Sequence, residues 1–288
     1  MRALYERFRT VLARFQKRFI RWYADYHMRR GTPGRVYRVP FRGYRMWLPI
    51  SWGKTVAQRR FGAFEPWTFG ALDRSVRAGA TVIEIGACYG EFTLYLSKLV
   101  GPSGRVYAFE LVPQNFEILT RNIALNHCDN VEAFHMGVAA RGVSSIEMAP
   151  DPGHLYESIS SISGRPYPDR HLPRPEETVA VPCVSLLEFM AAHSRKADYL
   201  FMDIEACEVA LFQDIEQTLR SGAWHPIVYM ETHPQFYKTG DLDYLRRVLT
   251  ESGYAIEVIG THWLCRPRTP HAAASAHASP PQTLGSKP

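Results

Sequence analysis

The sequence predicts an α/β protein of the Rossmann-like type, with a mostly parallel β-sheet and helices on both of its faces. Two observations carry this prediction. From about residue 70 onward, short apolar runs alternate with longer amphipathic stretches, as in parallel strands joined by helices. The run at 81–85 also leads directly into a turn that contains Gly86 and Gly90, as in sheets that bind a ligand at their strand ends.

The alternation can be followed element by element. Strands are expected at 81–85, 105–109, 131–136, 179–184, 199–202 and 227–230, with a terminal hairpin at 255–265. Helices are expected at 91–100, 113–126, 208–219 and 242–252, where apolar residues recur every three or four positions. A capping box, Ser185 followed by Glu188, predicts one more short helix.

The chain divides into a main domain, expected at 71–266, and flanking segments. Residues 1–34 are predicted to form a basic amphipathic helix, and 35–70 a lead-in segment with short strands. Inside the domain, 140–178 is expected to be a loop or lid, since its centre is rich in Pro, Gly, Ser and charge. The low-complexity tail, 267–288, is expected to be disordered.

The composition, 46% hydrophobic and 22% charged, is that of a globular protein. Five scattered cysteines without a C-x-x-C pair predict neither a disulfide framework nor a cysteine zinc site. The chain lacks both an apolar run of the roughly 18 residues that span a bilayer and the apolar core of a signal peptide, so a cytoplasmic location is predicted.

The net charge of +6 is unevenly distributed. Residues 1–34 hold nine basic and two acidic side chains, a net +7, so the rest of the chain sums to −1. A nucleic-acid partner is therefore not expected. For the basic helix of residues 1–30, three alternatives stay open: peripheral contact with an anionic membrane, packing on its own domain, and contact with a partner.

The first predicted strand runs into a candidate cofactor loop that begins at Glu84. Glycines let the backbone turn tightly and approach a ligand, and Glu110 stands at the end of the second strand, where an acidic residue can bind both hydroxyls of a ribose. The loop lacks the G-x-G-x-x-G pattern of dinucleotide sites. A carboxylate at its mouth, Glu84, repels a diphosphate but attracts a cation.

S-adenosylmethionine, which carries an ammonium and a sulfonium, is a ligand of that kind. Its predicted contacts are Glu84, Gly86, Ala87, Tyr89, Gly90, Glu110 and Asp203.

Residues 82–90 resemble the first motif of the FkbM family of methyltransferases, an acidic residue followed by G-A-N-x-G. Residues 106–110, 122–126 and 203–208 resemble later motifs, and Glu231-Thr232-His233 resembles the family's E-x-H strand end. The similarity covers roughly residues 62–265. In this chain Cys88 replaces the usual Asn, Ala206-Cys207 replaces Gly-Ala, and Phe201 stands where a Lys is common.

The resemblance implies the class I methyltransferase fold with a seven-stranded sheet, and S-adenosylmethionine as cofactor. It also implies O-methylation of a small-molecule or glycan acceptor, such as a sugar, a glycolipid or polysaccharide, or a natural product.

A hydroxyl acceptor needs a base as its proton is lost. The candidates follow the fourth and fifth strands of the predicted sheet: Asp203, Glu205, Glu231 and His233, with Glu208 as the weakest. His233 is attractive because the ordinary pKa of histidine lies near neutrality. The structural alternatives are a histidine in a turn, and carboxylates that stabilise a helix dipole.

The same carboxylates could bind Mg²⁺, but Asp-x-Glu-x-x-Glu is not a diagnostic metal spacing, so no metal is expected. Glu65 could close over the cofactor, and His154 with residues 158–163 could belong to an acceptor lid. Rival functions are a nicotinamide-dependent oxidoreductase, a methyltransferase for another acceptor class, and a non-catalytic membrane-associated or nucleic-acid-binding adaptor. The acceptor's identity and the oligomeric state stay open.

Overall fold

A computed structural model describes residues 36–49, 64–148, 179–193, 196–204 and 207–268. Several predictions concern residues outside these ranges and therefore stay predictions. They are the N-terminal helix of 1–34 with its membrane contact, most of the lid with His154 and residues 158–163, Glu205, and the tail from 269 onward.

The described strands are, in chain order, β1 (Val36–Phe41), β2 (Tyr44–Pro49), β3 (Thr81–Ile85), β4 (Arg105–Glu110), β5 (Val131–His135), β6 (Gly137–Val138), β7 (Ser145–Met148), β8 (Val179–Val184), β9 (Tyr199–Met202), β10 (Ile227–Glu231), β11 (Tyr254–Ile259) and β12 (His262–Pro267). The described α-helices are α1 (Pro66–Asp73), α2 (Glu91–Val100), α3 (Pro113–Leu125), α4 (Leu186–Ala192), α5 (Glu208–Arg220) and α6 (Asp241–Glu251). None of these helices is long and apolar enough to cross a bilayer.

Seven strands form the central sheet, in the order β11-β12-β10-β9-β3-β4-β5. The strands from β10 to β5 in this order run parallel, and the hairpin β11–β12 adds two antiparallel strands beside β10. From β3 the chain proceeds to β4 and β5 on one side and later returns to β9 and β10 on the other. Ligands of open α/β sheets bind at such a switch point. The predicted fold class, a mostly parallel seven-stranded sheet, is confirmed.

Helices cover both faces of this sheet because successive strand residues point to opposite sides. Ile83 and Ile85 of β3 pack in the cluster that contains Leu186, Leu211 and Leu245 of α4, α5 and α6. Val82 packs in a second cluster, with Phe69 of α1, Phe92 of α2 and residues of the hairpin β1–β2. Since both faces are buried, the central strands are almost continuously apolar, which is why they stand out in the sequence.

Two features differ from the prediction. Helix α1 crosses the expected boundary at residue 71, and its Phe69 and Leu72 are buried in the second cluster, so the domain includes residues before 71. Strand β7 lies within the expected loop and pairs with β8, which also pairs with β6. Strand β8 thus belongs to a separate three-stranded sheet, in which β6 has only two residues and β7 only four.

Candidate active site

The loop between β3 and α2 is shaped by two glycines in the left-handed region, with φ +86° at Gly86 and +92° at Gly90. A Cβ on Gly86 would overlap the carbonyl oxygen of Asp203, and one on Gly90 would meet Leu119 Cδ1 at 2.8 Å. The amides of Gly86 and Ala87 donate to the carbonyl oxygen of Phe109, at 3.0 and 2.9 Å. The turn is therefore held against both neighbouring strands.

The remaining predicted loop residues are enclosed. Tyr89 lies in the second core cluster, and Asn122 Nδ2 donates to its carbonyl oxygen at 2.7 Å. Ala87 packs against Ala108 and Leu119. Neither side chain is open to a ligand, so any contact from these two positions comes from the backbone.

Glu110, the last residue of β4, is buried and accepts hydrogen bonds at both oxygens. Cys88 N donates to Oε2 and Val112 N donates to Oε1, each at 2.7 Å. Burial raises the pKa of Glu110 to about 7, although these hydrogen bonds oppose the shift. Asn115 Nδ2 also donates to Oε1, at 3.5 Å, so Oε2 is the oxygen that keeps a second lone pair for a ligand hydroxyl.

A cleft lies at the switch point, between the ends of β3, β4 and β9. Its lining includes Gly86, Glu110 and Asp203. The apolar side chains of the lining are Leu111, Val112, Met136, Val138, Ile146 and Ile204. Carboxylates and a bare backbone beside apolar walls suit a nucleoside. The cleft measures about 80 Å³, less than the roughly 300–1,000 Å³ of most small-molecule sites.

Glu84 differs from the expectation that it stands at the mouth of the loop. It points to the same face as Val82, is fully enclosed, and does not line the cleft. Burial raises the pKa of Glu84 to about 8; the nearby Thr93 hydroxyl opposes this shift, and the carboxylates of Glu91 and Glu110 add to it. The carboxyl is therefore mostly protonated at neutral pH rather than a fixed negative charge.

Asp203 and His233, predicted at two strand ends, come together beside the cleft. His233 is 5% exposed, and its Nδ1 lies 3.2 Å from Oε1 of the fully buried Glu208. Its Nε2 lies 3.6 Å from Asp203 Oδ1. Tyr237 donates its hydroxyl to the other Glu208 oxygen at 2.9 Å. Both ring nitrogens of His233 thus face carboxylates, whereas the side chain of Asp203 is 34% exposed.

Glu231, at the end of β10, pairs in register with His262 of β12. His262 Nε2 lies 3.4 Å from Glu231 Oε2 and 3.5 Å from Glu65 Oε2. Burial alone would lower the pKa of His262, but the two carboxylates raise it to about 9. Burial alone would likewise raise the pKa of Glu231, yet His262 holds it below its ordinary value. His262 is therefore an imidazolium at neutral pH.

The described structure thus joins Asp203, Glu231 and His233, whose ligand atoms lie within 4.8 Å of one another. Glu65, Glu231 and His262 form a second such group, so Glu231 belongs to both. Sequence reasoning missed His262, because its place in the site follows from antiparallel pairing and not from any motif.

The family described as Methyltransferase FkbM domain matches residues 84–256. A protein-L-isoaspartate O-methyltransferase from Methanothrix thermoacetophila is 33% identical over 119 residues, which are 41% of this chain and 50% of that protein. The catalytic subunit of a tRNA (adenine(58)-N(1))-methyltransferase from Cryptococcus neoformans is 40% identical over 67 residues, 23% of this chain and 16% of that one. The chain spans half the length or less of these two relatives.

Among solved structures, methyltransferase FkbM from Methylobacillus flagellatus superposes with a TM-score of 0.39 at 13% identity, covering 71% of this chain and 50% of that one. The fibrillarin of Aeropyrum pernix, solved with natively bound S-adenosyl-L-methionine, gives 0.40 at 11% identity, covering 81% and 82%.

Proposed function

This chain belongs to the FkbM family of methyltransferases, and on that premise we propose that it methylates a hydroxyl group of a neutral small molecule or glycan. The family match confirms three predictions: the family itself, an enzyme, and S-adenosylmethionine as the methyl donor. It speaks against the nicotinamide-dependent oxidoreductase and against the non-catalytic adaptor. The class of acceptor is the part that we add.

The described residues fit the cofactor. Gly86 leaves the cleft without a side chain at that point, and Glu110 Oε2 offers a lone pair to a ribose hydroxyl. The apolar wall, with Val112 and Met136, suits a purine ring. When bound, S-adenosylmethionine supplies an electrophilic methyl group on a sulfonium, which is already a good leaving group.

Asp203 is the residue that we assign to the acceptor. It lines the cofactor cleft, and about a third of its side chain is exposed. In our proposal the acceptor hydroxyl donates a hydrogen bond to this carboxylate. With the methyl donor bound, Asp203 would take the proton that the hydroxyl oxygen loses as it gains the methyl group. Because the reaction is an in-line displacement, positioning of the acceptor supplies much of the acceleration.

His233 is a positioning residue in this proposal, not the base. Its ring is almost wholly buried, and its two nitrogens already face Glu208 and Asp203. An acceptor at the cleft therefore meets Asp203 first. Glu231, which His262 keeps ionised, can accept a hydrogen bond from a second hydroxyl of the same acceptor.

The partly exposed carboxylates of Glu65, Asp203 and Glu231 are the single observation that carries the choice of acceptor. They accept hydrogen bonds from neutral hydroxyl groups, whereas an ionised carboxylate or phosphate on the acceptor has no hydrogen to donate to them. This supports a polyhydroxylated neutral acceptor over an isoaspartyl peptide or a tRNA, the acceptors in the names of two relatives.

The test compares methylation of three acceptor classes. The purified chain is incubated with methyl-labelled S-adenosylmethionine and, separately, a neutral glycan and glycolipid pool, isoaspartyl peptides, and tRNA. We expect label only in the glycan or lipid pool, as an ether that survives mild base, and at least a 100-fold loss in Asp203→Asn. A base-labile ester on peptide, or label in tRNA, would overturn the proposal.

A further inference from the structure

We infer that Asp203, Glu231 and His233 form a binding site for one divalent cation of the Mn²⁺ or Zn²⁺ class at the edge of the cofactor cleft. Their three ligand atoms come from the ends of two adjacent parallel strands, β9 and β10, and lie within 4.8 Å of one another. Binding of the ion does not depend on the proposed function, but its role in the reaction rests on it.

The distance between two of the ligands suits a shared ion. His233 Nε2 and Asp203 Oδ1 are 3.6 Å apart, which is too long for a hydrogen bond. Two ligands that each stand about 2.1 Å from one cation, at angles between octahedral and tetrahedral, are separated by roughly 3.0–3.4 Å. A shift of a few tenths of an ångström would therefore bring both atoms into coordination.

The surroundings of His233 prepare it as a ligand. Glu208 already accepts a hydrogen bond from the Tyr237 hydroxyl, so it acts as an acceptor toward Nδ1 as well. Nδ1 then carries the hydrogen and Nε2 presents its lone pair toward Asp203. Metal-binding histidines almost always donate their second nitrogen in this way, often to a carboxylate. Thr261 similarly orients Glu231, by donating its hydroxyl to Oε1 at 3.1 Å.

The neighbouring group of Glu65, Glu231 and His262 lacks this arrangement. Both of its carboxylates face the same nitrogen, Nε2 of His262, at 3.4–3.5 Å. Because Nε2 already faces both carboxylates, this group offers no histidine nitrogen to a metal.

The ligand set also selects the kind of ion. One imidazole with two carboxylates suits first-row ions such as Mn²⁺ and Zn²⁺ better than Ca²⁺ or Mg²⁺, which prefer oxygen alone. An ion held here would lower the pKa of an acceptor hydroxyl beside it, as Zn²⁺ does for bound water. The partly exposed carboxylate of Asp203 would receive the proton from the same hydroxyl.

The test is a titration of the full, tag-free, chelator-treated chain with Mn²⁺, with free ion followed by electron paramagnetic resonance and Zn²⁺ as competitor. We expect one ion per chain. Asp203→Asn, Glu231→Gln and His233→Gln should each weaken binding at least tenfold, and Glu208→Gln by about 10–100-fold. Glu117→Gln, an exposed carboxylate on α3, is the matched control and should change nothing.

His262→Gln separates the two groups of ligands. It should retain binding, because His262 is not a ligand of the inferred site; loss of binding in a folded His262→Gln variant would overturn the inference. The inference would also be overturned if the wild-type chain bound neither Mn²⁺ nor Zn²⁺, or if the three ligand variants bound Mn²⁺ as tightly as the wild type. Thermal unfolding shows that every variant in the comparison is folded. If the ion binds but no hydroxyl acceptor is methylated, the proposed function fails and the site stands.

Discussion

The main-chain carbonyl of Asp203 packs directly against the α-carbon of Gly86, so that no side chain fits between the ends of β9 and β3. The cofactor loop and the strand that carries the proposed base are therefore in contact. A substitution that displaces the cofactor loop is therefore expected to displace the main chain of Asp203 as well.

Gly86→Ala should test that contact. The new Cβ would overlap the Asp203 carbonyl at a φ of +86°, and we expect a loss of about 2–4 kcal/mol in the free energy of unfolding with at least 30-fold weaker binding of S-adenosylhomocysteine. Urea denaturation and calorimetry measure the two effects. Gly142 has the same φ of +86° but nothing within 4 Å, so Gly142→Ala is the control for the backbone conformation alone. Equal effects in both variants would contradict the role of the contact.

Glu84 should make the free protein less stable as the pH rises. Its pKa is about 8 when folded and about 4.5 when unfolded, so the folded state binds the extra proton between these values. The stabilisation is complete below pH 4.5 and is lost as the pH rises through 8. In Glu84→Gln we expect a flatter profile and a free energy of unfolding at pH 8.5 that exceeds the wild type by a few kcal/mol. The measurement is urea denaturation from pH 6 to 9. If the free energy of unfolding of Glu84→Gln depended on pH as steeply as that of the wild type, Glu84 would not be the source of the pH dependence.

Glu110 should couple cofactor binding to proton release. Its pKa is about 7 in the free protein, and a cationic ligand favours the ionised form. Affinity for S-adenosylmethionine should therefore increase between pH 6 and 8.5, and Glu110→Gln should weaken it by about 10–100-fold, as expected for lost charge-assisted hydrogen bonds. Calorimetry in two buffers of different ionisation enthalpy would detect the released proton. A buffer-independent heat would count against the prediction.

His262→Gln should cost about 1–3 kcal/mol of stability at neutral pH, since it leaves Glu231 and Glu65 without their shared cation. A histidine whose pKa rises from 6.5 to about 9 gives stability that is fully present below pH 6.5 and is lost as the pH passes 9. The difference from wild type should thus shrink between pH 7 and 10 in denaturant titrations. His225→Gln, at an exposed histidine, is the comparison, and a constant difference would argue against the ion pair.

Cys88→Asn should stabilise the loop. Cys88 has a φ of +51°, in the left-handed region where asparagine is several-fold enriched over other side chains. We expect a gain of about 0.5–1 kcal/mol in the free energy of unfolding. Cys88→Ser keeps a side chain of similar size without that preference and should give no gain. The measurement is the thermal unfolding midpoint of the wild type, Cys88→Asn and Cys88→Ser. Equal midpoints in the three proteins would refute the explanation from backbone conformation.

The fold could be predicted from the sequence because its central strands are buried on both faces and their connecting helices are amphipathic. Glu110 and Asp203 were also predictable, since the carboxyl ends of parallel strands converge at one edge. The loop motif predicts Glu84 at the cofactor, whereas the two-residue alternation of β3 buries its side chain instead. Alternation places Glu84 on the side of Val82, under α2, and that signal was available in the sequence.

Other parts of the site depend on contacts between distant segments. His262 joins it only through the register of β12 against β10, and Glu65 through the packing of α1, a short helix without clear periodicity. Tyr237 reaches Glu208 from the turn after β10. Such contacts arise from tertiary packing, and no spacing of residues along the sequence predicts them.

The ion pair between Glu65 and His262 joins the two ends of the described domain. Glu65 lies just before α1, and His262 is the first residue of β12. A chain shortened before the last hairpin would therefore keep the residues that line the cofactor cleft but lose the cation that Glu65 and Glu231 share.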